Sequence, residues 1–232
     1  MLELIQFPRS LGVMNPSPFC MKVEVFLKLA GLPYQVDEHT PPMRLPKGKL
    51  PALRDGDRLV CDSQAIVEHL QRQHGAELPP GLREPPRGAD LALCRLFEEH
   101  LYFCALWGRW IDEAGLAVVV PAFFGALPRP VRPLVAALVR RKMRRALQGQ
   151  GMGRHSPAEI TARACADLDA ATQMLGERPF FGGDAPSVLD CTVHAFLANA
   201  LFVEIDHPVR RHLQATAPLV AYVHRMAALV GH

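Results

Sequence analysis

The chain has 232 residues, 49% of them hydrophobic, which is enough for two modest domains or one large one around a substantial core. Its formal charge of +3 is too small to argue for a nucleic-acid partner. Six cysteines are scattered without a CxxC pair or a close His/Cys cluster, which disfavours a zinc site or disulfide scaffold and fits reduced thiols in a cytosol.

No basic region followed by a long apolar run opens the chain, so no secretory signal is read. Leu2 to Phe7 is a short, mostly apolar strand. A loop follows from Arg9 to Pro18, carrying Gly12, Pro16 and Pro18. Phe19, Val23, Phe26, Leu27 and Ala30 recur at helical spacing, and Gly31 closes that helix. Tyr34 to Asp37 is a second strand. Leu50 to Leu53 and Arg58 to Cys61 flank Asp55-Gly56, a two-residue hairpin signal. Ser63 to His74 is helical, with Gly75 as its stop. The region therefore reads β-α-β-β-β-α, a mixed sheet covered by helices. Pro51 starts a strand and Asp62-Ser63 starts a helix, so the unit can present a strand edge and a helix N-terminus to one small peptide-like anion.

Glu77 to Arg87 holds four prolines and reads as a linker. Beyond it only helical patterns appear: Ala89 to Glu113, Arg132 to Leu147, Ser156 to Leu175, Ser187 to Val203 and Pro218 to Leu229. Ser187 and Asp190 make a capping-box signal. The most apolar window, Leu116 to Val139, is broken by Pro121, Pro128, Pro130 and Pro133 and is a poor membrane span. Arg140, Arg141, Lys142, Arg144 and Arg145 form the one charge block, read as the solvated face of an amphipathic helix, with an anionic partner or membrane surface as the alternative. Glu98, Glu99 and His100 are consecutive, so they do not share one helix face. The histidines show no ligand spacing, and no metal is expected.

The order of these parts resembles the glutathione S-transferase superfamily over nearly the whole chain. FPRS (Phe7 to Ser10), SPFCMKVEVFLKLAGLPY (Ser17 to Tyr34), KGKLP (Lys47 to Pro51), CDS (Cys61 to Ser63), EEHLYFCALWGRW (Glu98 to Trp110) and QGMGRHSPAEI (Gln150 to Ile160) look like its failed-axon-connections and metaxin-like branch. The resemblance implies an α/β plus all-α architecture. A thioredoxin-like domain of βαβ-ββα order spans 1–76, a linker 77–87, and an all-helical transferase C-terminal domain 88–232. It also supplies glutathione as the expected co-substrate. The proline matching Pro51 is cis in the family and leaves the Leu50 main chain free to pair with the tripeptide. Read plainly, Pro51 simply starts an edge strand. Asp62 and Ser63 would meet the ligand's ammonium and carboxylate groups; ordinary N-capping fits the same residue types.

At the sulfur end, an unperturbed thiol has a pKa of about 8.5 and is mostly protonated at neutral pH. Lowering it by about two units takes roughly 2.7 kcal/mol, within reach of one hydrogen bond to the anion plus a helix N-terminus. Ser17 stands where the glutaredoxin-like CPxC pattern has its attacking cysteine, and Cys20 where it has the resolving one. Ser17 is thus either a sulfur donor or a plain N-cap, and Cys20 either a redox thiol or a core residue. Asn15 and Arg9 are reserve donors. The resemblance puts the second-substrate wall on the first long C-terminal helix. Phe103, Trp107 and Trp110 make an aromatic stripe there, and Phe19, Tyr102, Leu106, Trp107 and Trp110 are the candidate pocket residues if they are not all core.

The activity implied is a cytoplasmic glutathione transferase, working as a homodimer on a small hydrophobic electrophile, with no nucleic-acid partner and no stable membrane anchor. Two alternatives stay open: a non-catalytic binding or adaptor protein on the same fold, and thiol-disulfide exchange through Cys20.

Overall fold

The computed structural model describes residues 1–231. Strands β1 (Leu2–Ile5), β2 (Tyr34–Asp37), β3 (Ala52–Asp55) and β4 (Arg58–Cys61) form one mixed sheet in the order β2-β1-β3-β4. β1 is parallel to β2, with Leu2 opposite Tyr34, and antiparallel to β3, with Ile5 opposite Ala52. A parallel neighbour requires a crossover, and α1 (Pro18–Ala30) supplies it. β4 leads into α2 (Ser63–His74), completing the thioredoxin-like βαβ-ββα arrangement.

Two sequence expectations shift here. β1 ends at Ile5 and not Phe7, although the Gln6 N–H still reaches the Asp37 carbonyl at 3.0 Å. In the hairpin, Asp55 pairs with Arg58, so the turn is Gly56-Asp57, one residue later than expected. Gly56 takes φ +56°, which costs a residue without Cβ nothing. β3 accordingly begins at Ala52, and Leu50-Pro51 form the approach to it.

Every residue from Cys20 to Leu27 of α1 is buried, Lys22 and Glu24 included, because the helix lies between the sheet and the helical part. One apolar cluster runs continuously from β1 and β3 through α1 into the C-terminal helices. The stretch read as a linker contains a short helix, α3 (Pro80–Arg83). α4 (Gly88–Arg95) passes through a π-helical turn, Leu96–Leu101, into α5 (Tyr102–Trp110). The single helix expected to Glu113 therefore stops earlier. Asp112 begins a new one by accepting the Ala114 N–H at 3.0 Å.

That helix, α6 (Glu113–Phe124), was hidden by Pro121 inside it. Pro121 rules out a long spanning helix but removes only one N–H from this short one. α6 crosses α5 at Gly115, where a Cβ would lie 1.9 Å from the Gly108 carbonyl oxygen. No other residue permits that approach, which lays α6 over α5. The remaining helices are α7 (Arg132–Gln150), α8 (Pro157–Leu175), α9 (Val188–Phe202), α10 (Pro208–Ala215) and α11 (Ala217–Val230). The expected Ser187–Asp190 capping box is present, and Asp190 also accepts the Phe181 and Gly182 N–H groups at 2.8 and 2.9 Å. α10, short and begun by the His207 ring, was not anticipated. Among the described residues no helix is long and apolar enough to cross a membrane.

Candidate active site

The Leu50-Pro51 peptide is cis. The Pro51 carbonyl accepts the Asp62 N–H at 3.4 Å, which keeps the start of β3 beside the start of α2. Leu50 packs its side chain on Ile5, Leu45 and Ala52. Among the described residues, no turn or loop hydrogen bond uses its main chain.

Asp62 caps α2: Oδ1 accepts the Gln64 N–H at 3.1 Å and the Ala65 N–H at 3.3 Å. It does so at φ +95°, a left-handed conformation that costs a non-glycine residue about 1–3 kcal/mol and that concentrates at ligand clamps. The cap leaves Ser63 uncommitted. Its side chain is 5% exposed, and neither its hydroxyl nor its N–H has a protein partner among the described residues. Capping and ligand-facing geometry therefore coexist at this helix start.

At the other helix start, Ser17 is half-buried and its hydroxyl accepts the Cys20 N–H at 3.4 Å, capping α1. Accepting in this way leaves a hydroxyl able to donate its own proton. Cys20, one turn further in, is fully buried. Burial pushes its thiol up to about 12, outweighing hydrogen bonds from Ser17 and the Phe7 main chain. At neutral pH that thiol is protonated and enclosed, the opposite of what an exchanging cysteine needs.

The reserve donors have other work. The fully buried Asn15 gives Nδ2 to the Phe7 carbonyl at 2.7 Å and accepts the Ser17 N–H on Oδ1 at 3.0 Å. Arg9 is held by the buried Glu24 at 2.8 Å. The loop before α1 is also gripped from the helical part. Arg109 donates to the Pro16 carbonyl at 2.6 Å and to Asn199 Oδ1 at 3.1 Å, while Asn199 Nδ2 donates to the Asn15 carbonyl at 3.0 Å. Burial lowers the Arg109 pKa to about 10, so a guanidinium cation sits beside the Ser17 loop at neutral pH. Sequence reasoning missed Arg109 and Asn199, which lie 90 residues apart and carry no local motif.

Ser17 lies on the wall of a cleft of about 760 Å³ between its loop and helices α5, α6 and α9. Of the expected pocket residues, Tyr102, Leu106 and Trp110 line it. Phe19 and Trp107 do not. Phe19 is edge-on to Tyr102 and Phe196 at 5.0 and 5.4 Å, and Trp107 meets His207 at 6.3 Å. Residues four apart share a helix face, so 102, 106 and 110 look into the cleft while 103 and 107 turn away from it. The far wall comes from the unforeseen α6, where Phe123 stacks on Trp110 at 5.7 Å. Ser10 also lines the cleft, and its buried Oγ has no partner among the described residues. In the charge block, Arg140 is tied to the Ile111 carbonyl and Glu113, whereas Arg141, Lys142, Arg144 and Arg145 are exposed.

The expectation that no histidine and cysteine cluster is corrected. His100 and Cys104 are one helical turn apart, and Asp167 of α8 joins them; their ligand atoms all lie within 4.8 Å of one another. The sequence reading had grouped His100 with Glu98 and Glu99. The buried Glu98 instead pairs with the buried Lys22 at 2.6 Å.

Residues 18–115 match the glutathione S-transferase N-terminal domain and residues 164–226 the C-terminal domain. The chain is 30% identical to the isoprene-epoxide–glutathione S-transferase of Rhodococcus sp. (strain AD45), covering 97% of this chain and 98% of that one. It is also 30% identical to Failed axon connections of Drosophila melanogaster, over 97% of this chain but only 57% of that longer protein. The crystal structure of a glutathione transferase family member from Pseudomonas fluorescens, with two glutathione bound, shares the fold. Its TM-score is 0.62 at 17% identity, over 99% of this chain and 90% of that one. The chain therefore belongs to the glutathione S-transferase family, in the branch that includes Failed axon connections.

Proposed function

We propose that the protein is a glutathione transferase that holds the tripeptide along Leu50, Pro51, Asp62 and Ser63, with its sulfur at Ser17, and delivers the thiolate to a small apolar electrophile in the cleft. The observation that carries this reading is the half-buried Ser17 hydroxyl at a helix start on the wall of an apolar cleft of about 760 Å³, with a half-buried cation, Arg109, beside it. Together these favour sulfur anion over thiol. Similarity to the Rhodococcus enzyme points to an epoxide as the electrophile. Attack forms a C–S bond and breaks a C–O bond. The resulting alkoxide takes a proton from the Tyr102 phenol, which lines the cleft, has no hydrogen-bond partner among the described residues, and has its pKa raised by burial. Water returns that proton. In this reading residues 1–76 are the glutathione-binding domain and 88–232 the helical domain of a cytoplasmic homodimer.

Spectrophotometric titration of enzyme-bound glutathione tests the assignment. Ser17→Ala raises the pKa of the bound thiol by about one to two units, the worth of one hydrogen bond to an anion. A midpoint that moves only in Ser10→Ala transfers the role to Ser10, and wild-type protein that binds no glutathione ends the transferase reading. The similarity to Failed axon connections favours a second reading, a glutathione-binding protein without turnover. Tight binding with no epoxide consumption would select it.

A further inference from the structure

We propose that His100, Cys104 and Asp167 form a binding site for a single Zn²⁺, with water in the fourth position, separate from the residues that hold the tripeptide. His100 is the penultimate residue of the π-helical turn Leu96–Leu101 and Cys104 lies in the first turn of α5. Such π-helical turns are rare and concentrate at functional sites. Asp167 comes from α8, and its Oδ2 is 2.6 Å from His100 Nδ1. All three ligand atoms fall within 4.8 Å of one another. One nitrogen, one sulfur and one oxygen donor are a set that zinc accepts, whereas magnesium and calcium take oxygen.

The competing description is a His–Asp hydrogen bond beside a core cysteine. Two features favour a cation. Asp167 is buried, His100 is its sole hydrogen-bond partner among the described residues, and Arg163 adds only a through-space attraction, so its second carboxylate oxygen has no protein partner there. Cys104 also lines the cleft, as do Ala164 and Leu168 of α8, which gives the ion an entry path. Zinc ligands about 2.0–2.3 Å from the metal stand roughly 3.3 Å or more apart in a tetrahedron, so entry replaces the His100–Asp167 hydrogen bond and opens that pair slightly.

The test uses the full chain, stripped with chelator and reloaded with Zn²⁺ or Co²⁺. Metal analysis after desalting is expected to return one equivalent of zinc. Co²⁺ is expected to give a thiolate-to-cobalt charge-transfer band together with the intense visible bands of a four-coordinate ion. Cys104→Ser should remove the charge-transfer band, and Asp167→Asn should weaken Zn²⁺ binding by roughly tenfold or more in chelator competition. A wild-type cobalt spectrum without a thiolate band, or a band that survives Cys104→Ser, overturns the proposal. Should either variant misfold by circular dichroism, His100→Gln at the solvent-facing edge carries the same comparison, and unchanged zinc affinity there overturns it equally.

Discussion

The starts of α1 and α2 are both capped helix N-termini, yet the chain secures them differently. The α1 start is gripped from both halves of the molecule: Asn15 holds it from its own loop, while Arg109 and Asn199 hold the carbonyls of Pro16 and Asn15 from α5 and α9. The α2 start is exposed at Asp62 and rests on its own cap and one bond to Pro51. In the proposed reading, placement of the sulfur therefore depends on docking the helical part against the sheet, whereas placement of the peptide depends on the sheet and α2. Lys22 is where the two dependencies meet. Its buried Nζ donates to Gln64 on α2 at 2.9 Å and to Glu98 at 2.6 Å.

Breaking that joint gives the largest effect. Lys22→Met leaves Glu98, 5% exposed, with the half-exposed Arg95 as its one ion-pair partner among the described residues. Removing one partner of a buried pair costs roughly 3–5 kcal/mol, and the residual Arg95 contact places the loss at the lower end. Denaturant unfolding measures it. The double variant Lys22→Met with Glu98→Leu should regain most of the loss, and a double variant as unstable as the single one would show that packing, not stranded charge, is at stake.

Smaller changes separate the two starts. Asn199→Ala removes the grip on the Asn15 carbonyl and one partner of Arg109. It should cost about 1–3 kcal/mol in stability and raise the pKa of the bound thiol, with glutathione affinity within about threefold of wild type. Ser63→Ala should do the reverse, weakening binding by roughly two- to tenfold in calorimetry while the thiol pKa stays put. A Ser63→Ala shift in thiol pKa as large as that of Asn199→Ala would erase the distinction.

The α2 start was readable because everything that builds it is local: a proline, a two-residue turn and an Asp-Ser pair within one short stretch. The α1 cap was readable for the same reason, from Ser17-Pro18. For Cys20 the sequence left two readings, redox thiol or core residue, and the covering of its helix by α9, which local periodicity does not reveal, decides for the core. Of the residues named on this helix for the pocket, Tyr102, Leu106 and Trp110 line the cleft and Trp107 does not; the stripe through Phe103 and Trp107 looks equivalent until the crossing of α6 at Gly115 shows which face is covered. Asp167 was invisible as a partner of His100 because 67 residues of chain separate them.

The finest test of the contrast lies at Asp62, where capping, strain and the proposed ligand contact fall on one residue. Asp62→Gly removes the side-chain cap, which costs only a few tenths of a kcal/mol when glycine replaces aspartate at this position. It also relieves φ +95°, worth about 1–3 kcal/mol. The folded protein should therefore unfold at the same or a higher temperature. Glutathione affinity should nonetheless fall roughly tenfold, since a charged hydrogen bond to the ligand's ammonium is worth about 1.5 kcal/mol or more. Asp62→Asn sharpens the reading, because it keeps a capping oxygen and a residue tolerant of positive φ while deleting the charge. If Asn matches wild type in affinity and Gly does not, the side chain serves the helix start alone. If both lose affinity while the glycine variant gains stability, the strained backbone is maintained for the ligand and not for the fold.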